Sequence, residues 1–203
     1  MSLVIRDVRQ QDLDTILSLN NAAGPGILPL TRPDLDYFFA SADYFRVAEI
    51  NGKIAGFLIA LREGRDYASP NYRWFNERNP SFMYIDRIVL APNQRGYGLG
   101  RVFYCDVESF AEVRVPVLTC EVFLEPANDA AVLFHGTYGF SEVGQQRVPP
   151  GDIRVSLLAK DLPSFGYVRE RYLERGGLPD LPWLQERSRP ANNMASHATG
   201  GEA

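Results

Sequence analysis

The residues best placed to do chemistry are concentrated in one short segment, Arg95-Gly96-Tyr97-Gly98-Leu99-Gly100-Arg101. The apolar spacing that follows, Val102, Phe103, Val107 and Phe110, predicts a helix and puts this loop at its N-terminus. Such an end presents backbone N–H groups that have no helical acceptor, together with the positive end of the helix dipole. Glycines where a side chain would block approach suit it to a phosphate or pyrophosphate, and Arg95 and Arg101 add charge. Two familiar phosphate loops do not fit. Gly-Lys-Ser/Thr is missing, and Gly98-Leu99-Gly100-Arg101-Val102-Phe103 lacks the last glycine of Gly-x-Gly-x-x-Gly.

Further along, Glu121 sits within Thr119-Cys120-Glu121-Val122-Phe123, on the same alternating face as Thr119 and Phe123. A carboxylate inside an apolar β-rich run is uncommon and makes a candidate general base. Asp86, in Tyr84-Ile85-Asp86-Arg87-Ile88, is a second carboxylate. An ion pair with an arginine of a neighbouring strand is its leading reading, and Arg87 reads the same way. His135 is one of two histidines, the other being His197 near the C-terminus. An imidazolium there could donate a proton, or the ring could pack or lie on a helix surface. Asn128, just ahead of a helical pattern, fits an N-cap or a ligand contact.

The elements that must position these groups follow from periodicity. Residues 3–8 are β-prone, and Leu13, Ile16, Leu17 and Leu19 recur at helical spacing. A second helix is expected over 33–42. Asn51-Gly52 between β-rich runs at 45–50 and 53–61 predicts an antiparallel hairpin, because both turn positions tolerate positive φ. Residues 62–81 form an aromatic, polar insertion with no sustained period, expected to be a loop that walls a pocket, packs at an edge or meets a second subunit. Strands are expected at 82–90, 115–123, 140–146 and 153–160, and a helix at 128–138. The order is β-α-α-β-β-β-α-β-α-β-β.

Arg95, Gly98 and Gly100, directly after the strand ending at Leu90, match the pyrophosphate loop Gln/Arg-x-x-Gly-x-Gly/Ala of the GCN5-related N-acetyltransferase superfamily, which the chain resembles over roughly residues 3–160. A second match is Asn128-Asp129-Ala130-Ala131, His135 and Gly139-Phe140, where the family has Asn-x-x-Ala, a tyrosine four residues on, and Gly-Phe. A little-characterised branch is also similar at Glu121, Val122, Pro126, Asn128, Phe134 and His135. The resemblance implies an α/β fold with a mixed sheet that splays open, the acyl-CoA N-acyltransferase fold. It implies that backbone groups of Ile88, Val89 and Leu90 meet the pantetheine arm of acetyl-coenzyme A, and that the loop from Arg95 through Gly96, Tyr97, Gly98, Leu99 and Gly100 to Arg101 holds the pyrophosphate. Asn128 and His135 complete the cofactor contacts. The family's proton donor to the departing thiolate is a tyrosine; this chain has His135 at that position, with Tyr138 one turn on. Acetyl transfer to an amine is the implied activity, with acetyl-coenzyme A as co-substrate and a small-molecule amine or a peptide as acceptor. A non-catalytic acyl-CoA-binding module is the competing reading, and homodimers are common in the family resembled.

Composition bounds these readings. With 21 basic and 25 acidic residues and a pI near 5.3, no whole-molecule field draws the chain to nucleic acid or anionic lipid. No apolar run approaches the roughly 18 residues of a spanning helix. The two cysteines, Cys105 and Cys120, form no metal-ligand pattern and read as buried thiols of a soluble, cytoplasmic protein. Residues 1–163 are expected to be the catalytic domain. Residues 164–203 are expected to be an extension, partly packed and then disordered from about residue 187. Asp34, Asp36 and Asp43 would permit a cationic acceptor.

Overall fold

In the computed structural model, which describes residues 2–125 and 127–189, one mixed sheet runs β1-β2-β3-β4-β5-β7-β6. The strands are β1 (Leu3–Asp7), β2 (Tyr44–Ile50), β3 (Lys53–Arg62), β4 (Met83–Leu90), β5 (Val117–Glu125), β6 (Ser141–Val148) and β7 (Ile153–Asp161). All neighbouring pairs are antiparallel except β4 with β5. The β2–β3 hairpin turns at Asn51 and Gly52, with φ of 49° and 77°, as the Asn-Gly pair predicts.

Alternation along the central strands separates two cores. Phe45 and Val47 of β2 and Phe57, Ile59 and Leu61 of β3 face α1 (Leu13–Asn21) and α2 (Arg32–Ser41). Tyr44 and Ala48, with Leu58 and Ala60, face the opposite side, where α4 (Leu99–Ala111) packs through Phe103, Tyr104 and Val107. Burial on both faces explains why β3 reads as a continuous apolar run. The second helix, α2, starts with a capping box: Thr31 accepts from Asp34 N–H, and the Asp34 carboxylate accepts from Thr31 N–H at 2.8 Å.

Two expectations need correction, on the insertion and on Cys105. The insertion at 62–81 contains a helix, α3 (Pro70–Asn76), capped by Ser69 and carrying the fully buried Tyr72 and Phe75. At seven residues it is too short to display a period. Cys105 is exposed, on the outer face of α4, whereas Cys120 is buried. A further helix, α6 (Ser164–Arg171), lies beyond the final strand. Arg187, at the expected boundary of the packed part of the extension, is buried. Its guanidinium donates to the Phe39 and Ala42 carbonyls and lies 5.0 Å from the Phe39 ring centroid. Burial pushes that guanidinium down to about 10. Arg114 similarly donates to the Leu184 carbonyl, so the extension straps across the domain. Of its apolar residues Leu184 is buried, while Tyr167 and Trp183 are exposed. Residues 190–203, including His197, and Pro126 lie outside the described residues.

Arg187→Ala leaves two carbonyls without their charged donor and removes packing from Phe39. It should lower unfolding free energy by about 2 kcal/mol. Arg169→Ala, which breaks only the exposed pair with Glu174, should change it by less than about 0.5 kcal/mol. Equal effects of the two changes in urea denaturation would show that the strap does not contribute to the fold.

Candidate functional site

The parallel ladder between β4 and β5 is very short: Met83 pairs with Leu118 and Tyr84 with Thr119, and no rung follows. Yet β4 stays paired to β3 as far as Leu90, and β5 to β7 as far as Glu125. The two halves of the sheet therefore diverge after Tyr84, earlier than Ile88. A cleft of about 740 Å³ opens between them, lined by residues 85–90 of β4 and 120–123 of β5. Ile88, Val89 and Leu90 are among these, as expected.

At one end of the cleft β4 gives way to a single 3₁₀ turn, Pro92–Gln94, and the glycine loop. Gly98 is the N-cap of α4 with φ of 85°, a left-handed conformation that other residues adopt only under strain. Glycine also brings no side chain to occupy the first-turn amides, and the first helical bond is Val102 N–H to the Gly98 carbonyl at 3.2 Å. The amides of Leu99, Gly100 and Arg101 thus have no helical acceptor. A Cβ on Gly100 would stand 3.1 Å from the Phe134 ring, so a larger residue there would require the ring to shift by a few tenths of an ångström where α4 meets α5 (Asp129–Thr137). Arg95 donates to the Leu90 carbonyl at 3.3 Å and the Ala23 carbonyl at 3.1 Å, tying β4 to the loop after α1. Arg101 donates to the Tyr138 hydroxyl at 3.3 Å, and Tyr97 is largely exposed. Asn128 caps α5 by accepting from Ala131 N–H at 3.2 Å and also lines the cleft, so the cap and the wall of the site are the same residue.

His135 is buried at the cleft margin. Its Nδ1 lies 2.7 Å from the Ala131 carbonyl, which can only accept, so Nδ1 carries the proton and Nε2 accepts from the Tyr104 hydroxyl at 2.6 Å. Burial lowers the imidazole pKa, in keeping with a neutral ring. The phenolic proton of Tyr104 is therefore the one not committed to a backbone carbonyl. The spacing of Tyr104 on α4 is that of any core residue, so no signal in the sequence marks it.

Glu121 faces the cleft from β5, opposite β4. The Tyr84 hydroxyl donates to its Oε2 at 2.6 Å, and Asn71 lines the cleft with it and favours its charged form. Asn71 is itself fixed by Gln146 Nε2 at 2.5 Å. Burial and the nearby Asp86 carboxylate push Glu121 up to about 8. Asn71 comes from the insertion, whose lack of period concealed it.

Asp86 is the extra residue of a β-bulge, since Ile85 pairs with Ala60 and Arg87 with Ile59. It is in an ion pair, as read from sequence, but with adjacent Arg87, at 2.6 Å, rather than with a neighbouring strand. The Tyr67 hydroxyl donates to its other oxygen at 2.5 Å. Arg87 also donates to Asn20 Oδ1 at 2.9 Å and the Leu28 carbonyl at 3.2 Å. Asp34, Asp36 and Asp43 do not line the cleft: each is engaged by Thr31, Arg32 or Arg65. The carboxyl groups in the cleft are those of Asp86 and Glu121 instead.

Comparison with known proteins bears on this arrangement. The chain is similar in fold to the ribosomal-protein-S18-alanine N-acetyltransferase of Escherichia coli, with a TM-score of 0.63 and 20% identity over 79% of this chain and 94% of that one. It is also similar to Ard1 from Thermoplasma volcanium, with a TM-score of 0.65 and 15% identity over 80% of this chain and 99% of that one. A third likeness is to the NatC complex bound to Gag peptide and CoA, with a TM-score of 0.60 and 15% identity over 80% of this chain and 99% of that one. No curated protein sequence matches the chain. A sequence profile of the acetyltransferase (GNAT) family matches residues 13–140, a span that holds both walls of the cleft, the glycine loop and α5, and the chain belongs to that family.

Proposed function

We infer that the protein is an N-acetyltransferase that uses acetyl-coenzyme A and acetylates an amine by direct attack on the thioester. The observation that carries this reading is the coincidence of an unpaired β4 edge, uncapped α4 amides and a proton-accepting carboxylate in a single cleft. Acetyl-coenzyme A supplies an acetyl group activated as a thioester. The amides from Gly96 to Gly100, with Arg95 and Arg101 beside them, suit its pyrophosphate. The free backbone edge at Ile88, Val89 and Leu90 suits its pantetheine amides, and Asn128 and His135 bound the same arm.

Glu121 acts as base. It accepts a proton from the incoming ammonium, directly or through one water, and leaves a neutral nitrogen to attack the carbonyl carbon. As the C–N bond forms and the C–S bond breaks, the Tyr104 and His135 pair faces the departing thiolate. The phenolic O–H rests on His135 Nε2, so it must turn from the ring to protonate the sulfur, and the second proton of the attacking nitrogen then restores the phenol. In this reading residues 1–163 are the catalytic domain and the strap supports it. The exposed Tyr167 and Trp183 offer apolar surface for a homodimer. Among the described residues no helix is long and apolar enough to cross a membrane.

Two outcomes test the reading. Because Glu121 must lose its proton to act, kcat/KM for acetylation should rise with pH and level off above about 8. Glu121→Gln should cut kcat by roughly 10²-fold or more and abolish that limb. A pH profile unchanged in the variant would remove Glu121 from the chemistry. Separately, Gly98→Val forces a β-branched residue into positive φ and should weaken coenzyme A binding about tenfold or more in calorimetry. Unaltered affinity would place the pyrophosphate elsewhere.

A further inference from the structure

Among the described residues only four formally charged side chains line the cleft: Asp86, Arg87, Arg95 and Glu121. Both guanidiniums are engaged. Arg87 is held by Asp86, by Asn20 and by the Leu28 carbonyl, with 9% of its side chain exposed. Arg95 is bonded to the Leu90 and Ala23 carbonyls at the opposite end, beside the glycine loop. Arg87 balances Asp86, which leaves Glu121 as the carboxylate whose hydrogen-bond partner, the Tyr84 hydroxyl, is neutral. The region around Glu121 therefore offers a cation a counter-ion and offers an anion none.

Its outline is equally specific. Tyr67, Ser69, Pro70 and Asn71 of the insertion, Val148 at the end of β6 and Pro149 of the turn after it bound this end. Tyr67 is fixed by its bond to Asp86 and by stacking on Tyr37, with centroids 5.8 Å apart and planes 15° from parallel. An extended peptide would have to cross this wall, whereas a compact amine would not.

We propose that the acceptor is a compact cationic amine with no carboxylate beside its nitrogen, a decarboxylated amine rather than an amino acid or a peptide, with Glu121 as its counter-ion. This rests on the amine-acetylation reading of the cleft. An α-carboxylate would sit within a few ångströms of the ammonium and would meet Glu121 with no guanidinium free to take it, so like charges would oppose binding.

The test is calorimetric titration of the full chain, saturated with coenzyme A at pH 8, using matched pairs: phenethylamine and phenylalanine, tyramine and tyrosine, cadaverine and lysine. A tetra-alanine amide serves as the peptide arm. At least one amine should bind saturably and at least tenfold more tightly than its parent amino acid and the peptide. Glu121→Gln should weaken that amine about tenfold while coenzyme A uptake persists, which also shows that the variant is folded. The proposal is overturned if no amine binds, if the amino acids bind as well, if the peptide binds more tightly, or if Glu121→Gln leaves amine affinity unchanged. Amine binding that follows this pattern, with no thiol released from acetyl-coenzyme A, would sustain the amine site and sink the transferase reading.

Discussion

Everything in the site depends on β4 and β5 parting after Tyr84 and Thr119. Two adjacent strands ordinarily continue to exchange hydrogen bonds, since an unpaired buried amide costs about 1–3 kcal/mol. Here each strand is committed to its outer neighbour, β4 to β3 and β5 to β7, and the bulge at Asp86 changes the pleat of β4 where the gap begins. The last rung is followed by a side-chain bridge: Tyr84 reaches across the opening and donates to Glu121 at 2.6 Å. The cleft is thus a built discontinuity in the sheet, with one edge of β4 left for a ligand to satisfy.

The two carboxylates in that opening are handled differently. Asp86 has a guanidinium against it and a phenol besides. Glu121 has neutral donors, so burial dominates and its proton is retained up to about 8. A carboxyl whose folded-state pKa is raised stabilises the fold below its unfolded value, roughly 4.3, and that contribution is lost as pH rises through the folded value. The empty site is therefore least favourable at the pH where Glu121 becomes a base. A bound cation offsets that cost, which couples acceptor binding to the protonation state that the chemistry needs.

Much of this arrangement was legible in the sequence where the constraint is local. Gly98 and Gly100 are fixed by the shape of one turn and one close approach, Asn51-Gly52 by a hairpin, and Glu121 by the anomaly of a charge among apolar neighbours. The seven strands and the helices flanking the glycine loop follow from period alone. What was illegible depends on contacts distant in the chain. Tyr104 and Tyr84 have the spacing of ordinary core residues, and only the fold brings one to His135 and the other to Glu121. Cys105 and Arg187 were illegible in opposite senses: an apolar-looking helix position faces outward, and an arginine in a polar stretch finds two carbonyls and two aromatic rings.

The insertion between β3 and β4 joins these threads. Tyr72 and Phe75 of α3 are buried in the core, and the Tyr72 hydroxyl donates to the Arg62 carbonyl at 2.7 Å while accepting from Arg65 N–H at 2.8 Å. Those contacts close the segment on itself and hold α3 against β4. Asn71 and Tyr72 are adjacent on the same turn, so the helix that anchors one side chain in the core places the other in the wall of the cleft that holds Glu121. A loose loop would leave the Glu121 carboxyl free to rotate into water and return toward an ordinary pKa. A packed helix keeps it in place, and the stability of α3 is thereby part of the proton affinity of the site.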